Sequence, residues 1–156
     1  MATKDTCTEI CGDGIDLLFY ACDDGNNVNG DGCSSTCTIE TGYQCIGGDN
    51  NHPDVCNEKC GDGITVLYVA GKCDDGNIFN GDGCSSTCDV ENGWACAGGN
   101  LVTADTCWEI CGDGKNAGGV ECDDGNLNNG DGCSNTCTIE PGYNCTGGTL
   151  IKADTC

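Results

Sequence analysis

Apolar side chains along this chain come in short bursts between turn residues, and no segment keeps helical apolar spacing over about 11 residues or more. The clearest bursts are Ile15 to Tyr20 (IDLLFY) and Ile64 to Val69 (ITVLYV), which carry the β-branched and aromatic types that suit strands. The matching stretch further on reads KNAGGV and has lost the pattern. Between the bursts Gly fills 27 positions, and the dipeptides DG, NG and GG recur every few residues, which interrupts helices and long strands. The pattern predicts strands at Ile15–Tyr20 and Ile64–Val69, turns nearly everywhere else and almost no helix.

The bursts recur because the chain repeats. Three near-copies of one block, CDDGNNVNGDGCSSTC, CDDGNIFNGDGCSSTC and CDDGNLNNGDGCSNTC, start at Cys22, Cys73 and Cys122. Cys7, Cys56, Cys107 and Cys156 are equivalent positions with a period of about 50 residues, the signature of a small unit reused in tandem. Phased from CGDG, residues 11–59, 60–110 and 111–156 form three six-cysteine modules, and Cys7 is left over. Residues 1–10 then resemble a module tail, because Asp5-Thr6-Cys7 copies Asp105-Thr106-Cys107 and Asp154-Thr155-Cys156. The expected fold class is small and disulfide-rich: a tandem array of three irregular, turn-rich modules with short β-strands.

Composition strengthens that expectation. Nineteen cysteines in 156 residues exceed the roughly 8–10% at which a short chain reads as a disulfide scaffold. Only eight aromatic residues are present, too few for one large core, so each module has to be stapled rather than packed. Staples persist in oxidising surroundings, which points to an extracellular, secreted or cell-surface protein with nine bridges inside its modules. The pairing stays open at this point, since six cysteines allow fifteen connectivities per module. The opening MATKDTC has no apolar leader core, so the chain is expected to be a processed form or a segment of a longer one.

Charge narrows the partners. Twenty-six acidic side chains face five basic ones, all lysine, for a formal charge of −21. Phosphate binding needs clustered Lys and Arg, so nucleic acid is excluded as a partner. No run of 18 apolar residues exists, so no helical membrane span is expected.

The block itself carries the candidate chemistry. Asp23, Asp24, Asn26, Asn29 and Asp31 crowd oxygen atoms together, and the set recurs as Asp74, Asp75, Asn77, Asn80, Asp82 and as Asp123, Asp124, Asn126, Asn129, Asp131. Calcium takes six to eight oxygen ligands, and Gly-punctuated loops turn carbonyls inward, so about one calcium ion per module is expected. The same residue types also form Asx turns for their own backbone reasons, and the loop lacks the bidentate Glu of a helix–loop–helix calcium site. Zinc is disfavoured because His52 is the only histidine and the thiolates far outnumber structural sites. No Ser or Cys pairs with a base, so no catalytic residue is expected and the chain reads as non-enzymatic.

The motif CGDG…CDDGNxxNGDGCSxTC…ExG[YW]xC resembles the myxococcal-type cysteine-rich repeat, itself similar to the calcium-binding Lin-12/Notch repeat. The resemblance implies a disulfide-rich, calcium-compatible extracellular building unit. Members usually place Glu before the CDDGN cysteine; Glu121 supplies it, whereas Ala21 and Lys72 replace it. Tyr43, Trp94 and Tyr143 in the ExG[YW]xC segments are expected to lie over disulfides.

The expected function is structural, as a subunit of a head-to-tail fibre or surface layer. Leu17, Leu18, Phe19, Tyr20, Val66, Leu67 and Tyr68 would supply apolar contacts for self-association, and Cys7 an intermolecular bridge. The alternative is a recognition segment of a larger secreted enzyme or receptor that binds other extracellular proteins.

Overall fold

The cysteines fix the architecture, and their pairing is the same in every module: first with fourth, second with third, fifth with sixth. In the computed structural model, which describes residues 8–66 and 70–156, the bridges are Cys11–Cys37, Cys22–Cys33 and Cys45–Cys56, then Cys60–Cys88, Cys73–Cys84 and Cys96–Cys107, then Cys111–Cys137, Cys122–Cys133 and Cys145–Cys156. All nine stay inside their modules, as the even count of six required. The chain divides into two compact units, Met1–Lys59 and Cys60–Cys156.

Cystine takes the place of an aliphatic core. Cys22, Cys73 and Cys122 are fully buried, and Cys33, Cys37, Cys84, Cys88, Cys133 and Cys137 nearly so. The C-S-x-T-C segment wraps this centre in a tight turn, in which Ser34 N–H donates to the Thr38 carbonyl and Cys37 N–H to that of Ser34. Closing the turn drives Cys37, Cys88 and Cys137 into the left-handed region, at φ of 53°, 57° and 55°. Such a conformation in a non-glycine residue costs on the order of 1–3 kcal/mol, which the bridge to Cys11, Cys60 or Cys111 offsets by holding the sulfur in place.

Regular strands form only where the fifth and sixth cysteines pair. Strand β1 (Tyr43–Ile46) runs antiparallel to β2 (Val55–Glu58), with Cys45 opposite Cys56. Strand β3 (Trp94–Ala97) pairs with β4 (Thr106–Glu109), with Cys96 opposite Cys107. In the third module the equivalent ribbon shrinks to one isolated bridge, Thr146 to Thr155. These short ribbons and the absence of helix among the described residues match the expected fold class.

The strand predicted at Ile15–Tyr20 does not form, and the described part of the one predicted at Ile64–Val69 is irregular. Ile15–Tyr20 is irregular, and so is Ile64–Val66; Leu67, Tyr68 and Val69 lie outside the described residues. A strand needs a neighbouring edge for its amides, and here a carboxylate takes them. Leu17 N–H and Phe19 N–H both donate to Glu9, while Leu18 between them adopts φ 66°. In the second module Ile64 N–H donates to Asp62 Oδ1 at 3.0 Å. The apolar side chains of the first loop consequently face outward, with Leu18 and Phe19 each 80% exposed.

Candidate metal centre

The acidic side chains divide into two populations with different tasks. Asp23 is fully buried, and its two oxygens accept three backbone N–H groups at 2.9 Å: Gly12 on Oδ2, and Gly14 and Gly25 on Oδ1. Asp74 does the same with Gly61, Gly63 and Gly76, and Asp123 with Gly112, Gly114 and Gly125. The glycines are required at these points because converging N–H groups need left-handed backbone, as at Gly12 (φ 84°) and Gly14 (φ 77°). The first Asp of CDDGN thus neutralises a nest of N–H dipoles.

Asn29, Asn80 and Asn129 are committed in a similar way. Their Oδ1 atoms accept the N–H groups of Ser35, Ser86 and Asn135 at 2.8–2.9 Å, which ties the block to the following turn. These residues and the first Asp of each block thus have their oxygens engaged by backbone N–H groups.

What the fold does bring together is Asp24, Asn26 and Asp31. Asn26 Nδ2 donates to Asp31 Oδ2 at 3.1 Å, and Asp24 Oδ1 accepts the Asn26 N–H at 3.2 Å. Asn26 Oδ1 is used locally by the Val28 N–H at 2.6 Å. Asn26 therefore clamps two acids side by side, with one carboxylate oxygen of each left over. The arrangement recurs at Asp75, Asn77 and Asp82 and at Asp124, Asn126 and Asp131.

The electrostatics register the crowding. Burial pushes the Asp24 carboxyl up, the Asn26 N–H opposes it, and the Asp31 charge pushes it further. Asp75 is raised by burial in the same way, with Asp82 and Asp74 adding to it. In the second module Asp82 Oδ1 is a buried oxygen with no hydrogen-bond partner. An orphaned anionic oxygen beside a second carboxylate is costly unless a cation compensates it, so the residues present fit a hard divalent ion.

Other cysteine and pocket chemistry does not compete. Cys111, Asp123 and Cys137 bring ligand-type atoms within 4.8 Å of one another, but the two sulfurs are bonded together and offer no thiolate. A shallow groove lined by Asn116, Ala117, Thr149, Leu150 and Ile151 has no titratable side chain. His52 is exposed and pairs with Asp49 at 3.0 Å.

Three sets of acids escaped the sequence reading. Glu40 Oε2 accepts both Gly30 N–H at 2.7 Å and Gly32 N–H at 3.0 Å, and Glu91 and Glu140 repeat this. Asp54, Asp105 and Asp154 accept the N–H of Asp23, Asp74 and Asp123 at 2.9–3.0 Å and fasten the cysteine ribbon to the block. Glu109 accepts the Ala117 N–H at 2.9 Å and that of Gly119, clasping the loop of the third module from the last strand of the second. Their signal was available: Glu40, Glu91 and Glu140 each follow a cysteine by three positions, Asp54, Asp105 and Asp154 each precede one by two, and Glu109 follows Cys107 by two as Glu9 follows Cys7.

The aromatic rings sit where expected. A side chain at Gly32 would fall 3.0 Å from Tyr43 Cδ1 and 3.3 Å from Cys56 Sγ, so ring and disulfide pack over the same glycine. Tyr43 and Tyr143 also donate their hydroxyls to the carbonyls of Gly30 and Gly130 at 3.0 and 2.9 Å. At the variable position before CDDGN, Glu121 Oε2 accepts the Ile139 N–H at 2.9 Å, whereas Lys72 pairs with Asp89.

Fold and site together define a disulfide-stapled, turn-rich tandem-repeat protein. The repeat is that of the family described as Domain of unknown function (DUF4215), whose model matches residues 2–38, 40–89 and 92–138; the chain belongs to this family. No curated protein and no solved structure matches the chain. The segment 40–89 encloses Cys45–Cys56, Cys60–Cys88 and Cys73–Cys84, so bridges close within this phasing as well. Within the second unit the ribbon β3–β4 is fastened both to the block before it, through Asp105, and to the loop after it, through Glu109.

Proposed function

We propose that the chain is a non-enzymatic, extracellular structural array in which each stapled module is stabilised by one calcium ion. The observation that carries this reading is the paired carboxylate of the block, with its buried and unpartnered Asp82 Oδ1. Asp24 with Asp31, Asp75 with Asp82 and Asp124 with Asp131 would hold the ion. A divalent cation there cancels the repulsion between two neighbouring acids, both half-buried in the second module; backbone carbonyls and water complete its shell. Nine disulfides, and a buried apolar core made of cysteines among the described residues, suit an oxidising, extracellular setting. The likeness of the block to secreted calcium-binding repeats supports the same assignment.

Affinity is expected to be weak, on the order of 10⁻⁴–10⁻³ M, as for other extracellular modules. At ten times that dissociation constant each site adds about 1.4 kcal/mol. Asp75→Asn combined with Asp82→Asn should leave stability in chelator unchanged or slightly raised, since repulsion is relieved. The calcium-dependent rise in the melting temperature of the second module should disappear. Wild type that gains nothing from millimolar calcium would overturn the assignment.

Self-association is the proposed mode of assembly, supported by the outward-facing Leu17, Leu18, Phe19 and Tyr20. Val66 belongs to the corresponding loop of the second module; Cys7, Leu67 and Tyr68 fall outside the described residues. Sedimentation velocity in calcium should show concentration-dependent oligomers that Leu18→Asp abolishes. A monomer at every concentration that captures a different extracellular protein would favour the recognition reading instead.

A further inference from the structure

At position 16 the three modules solve the same buried problem with different chemistry. Asp16, Thr65 and Asn116 occupy equivalent sites, because each donates its backbone N–H to the matching turn, at Asp49, Asn100 and Thr149, with N···O of 3.1–3.2 Å. In the second module the Thr65 hydroxyl donates to Asp105 Oδ2 at 2.8 Å; in the third, Asn116 Nδ2 donates to Asp154 Oδ2 at 2.8 Å. The carboxylate that receives this bond also accepts the N–H groups of the block and of Gly99 or Gly148, so the slot demands a donor.

The first module puts an acid in the slot. Asp16 is only 6% exposed and Asp54 only 8%. The two side chains converge: the point where a Gly48 Cβ would sit is 2.6 Å from Asp54 Oδ2 and 2.8 Å from Asp16 Cβ. Asp54 is committed as an acceptor, to Asp23 N–H at 2.9 Å and Gly48 N–H at 3.0 Å. Asp16 accepts the Leu18 N–H at 2.6 Å through Oδ1. An ionised Asp16 has no hydrogen to offer, so the bond made by Thr65 and Asn116 is missing unless a proton is bound.

We propose that Asp16 fills the slot as the neutral acid, sharing its proton with Asp54, so that the first module carries an acid-closed latch that the second and third lack. The latch fastens the start of the apolar loop Leu17–Tyr20 to the turn before the sixth cysteine, so its state governs how firmly that loop is held.

The charges around the group agree. The Leu18 N–H holds the Asp16 carboxyl down, but burial and the negative charges of Asp54 and Glu9 outweigh it and raise it above the ordinary aspartate range. The other ionisable pair on this turn, Asp49 with His52, lies at the surface and meets Asp16 only through the Asp49 carbonyl. A folded-state value above the unfolded one means that stability is fully present below the unfolded value, about 3.9, and is lost as pH rises through the folded value. The first module therefore loosens toward neutral pH.

The test uses the whole oxidised chain in chelator, as wild type, Asp16→Asn and Asp16→Thr. Carboxyl carbon NMR should find Asp16 titrating above the ordinary aspartate range. Amide exchange, corrected for intrinsic rates, should show protection of Gly48 and of the residue-16 amide falling several-fold between about pH 4 and about pH 7. Gly99 and Gly148, the matching amides of the other modules, should show no such fall, and either substitution should flatten the first module's profile and raise its protection at neutral pH. An Asp16 that titrates in the ordinary range, or profiles that coincide in wild type and both variants, would overturn the latch. So would full protection at neutral pH restored by millimolar calcium in an Asp24→Asn, Asp31→Asn chain, because a cation and not a proton would then occupy the slot.

Discussion

Asp74→Asn is expected to unfold the second module selectively, at a cost of about 3 kcal/mol or more. The carboxylate accepts N–H groups from Gly61, Gly63 and Gly76 at 2.9 Å in a site only 1% exposed. An amide of the same shape offers one oxygen and sets an NH₂ group against N–H donors, and each buried polar group left unpaired costs about 1–3 kcal/mol. Trp94 and Trp108 both lie in the ribbon of this module, so tryptophan fluorescence in denaturant reports on it. Asp75→Asn is the paired control: its neighbour in sequence, but outside the nest, it should shift the midpoint little in chelator. Equal losses from the two substitutions would contradict the division of the acids into N–H anchors and the proposed cation ligands.

Removing the Cys73–Cys84 bridge as a double serine variant should cost more than removing Cys96–Cys107, although both close loops of the same length. Each pair is 11 residues apart, so the loop-entropy contribution, about 3 kcal/mol, is common to both. The difference isolates burial. Cys73 and Cys84 are 0% and 2% exposed and form the core, whereas Cys96 and Cys107 are half-buried in a ribbon that keeps its strand pairing. Losing the inner bridge leaves two buried hydroxyls and poorly filled space where cystine stood, adding about 2 kcal/mol or more. The second module is then expected to be unfolded near body temperature, read as lost amide protection at Gly76 and Gly83. If the ribbon variant proves the less stable, the core is not where burial places it.

The apolar pattern misled at Ile15–Tyr20 because patterning reports what a segment could pair with, and no strand edge is offered there. Glu9 supplies oxygens at the right spacing, and alternate amides close on a carboxylate instead. The oxygen-rich cluster of each block was legible, but the separate tasks of its members were not. Composition counts oxygens without their orientation, and two of the five residues in each block, the first Asp and the second Asn, turned out to accept backbone N–H groups. Three similar modules also disguise a difference that matters: Asp16, Thr65 and Asn116 look like unrelated loop residues until the fold sets all three against the same carboxylate position.

By itself the sequence determined the repeat, its period, the disulfide-stapled class and the scarcity of regular structure. All of these follow from residue counts and local turn chemistry, which act within a few positions of the chain. Only the tertiary structure decided which cysteines pair, which acids face N–H groups, which face each other and where an acid replaces a donor. Those choices depend on atoms as many as 40 residues apart meeting within about 3 Å, and spacing along the chain does not encode such meetings.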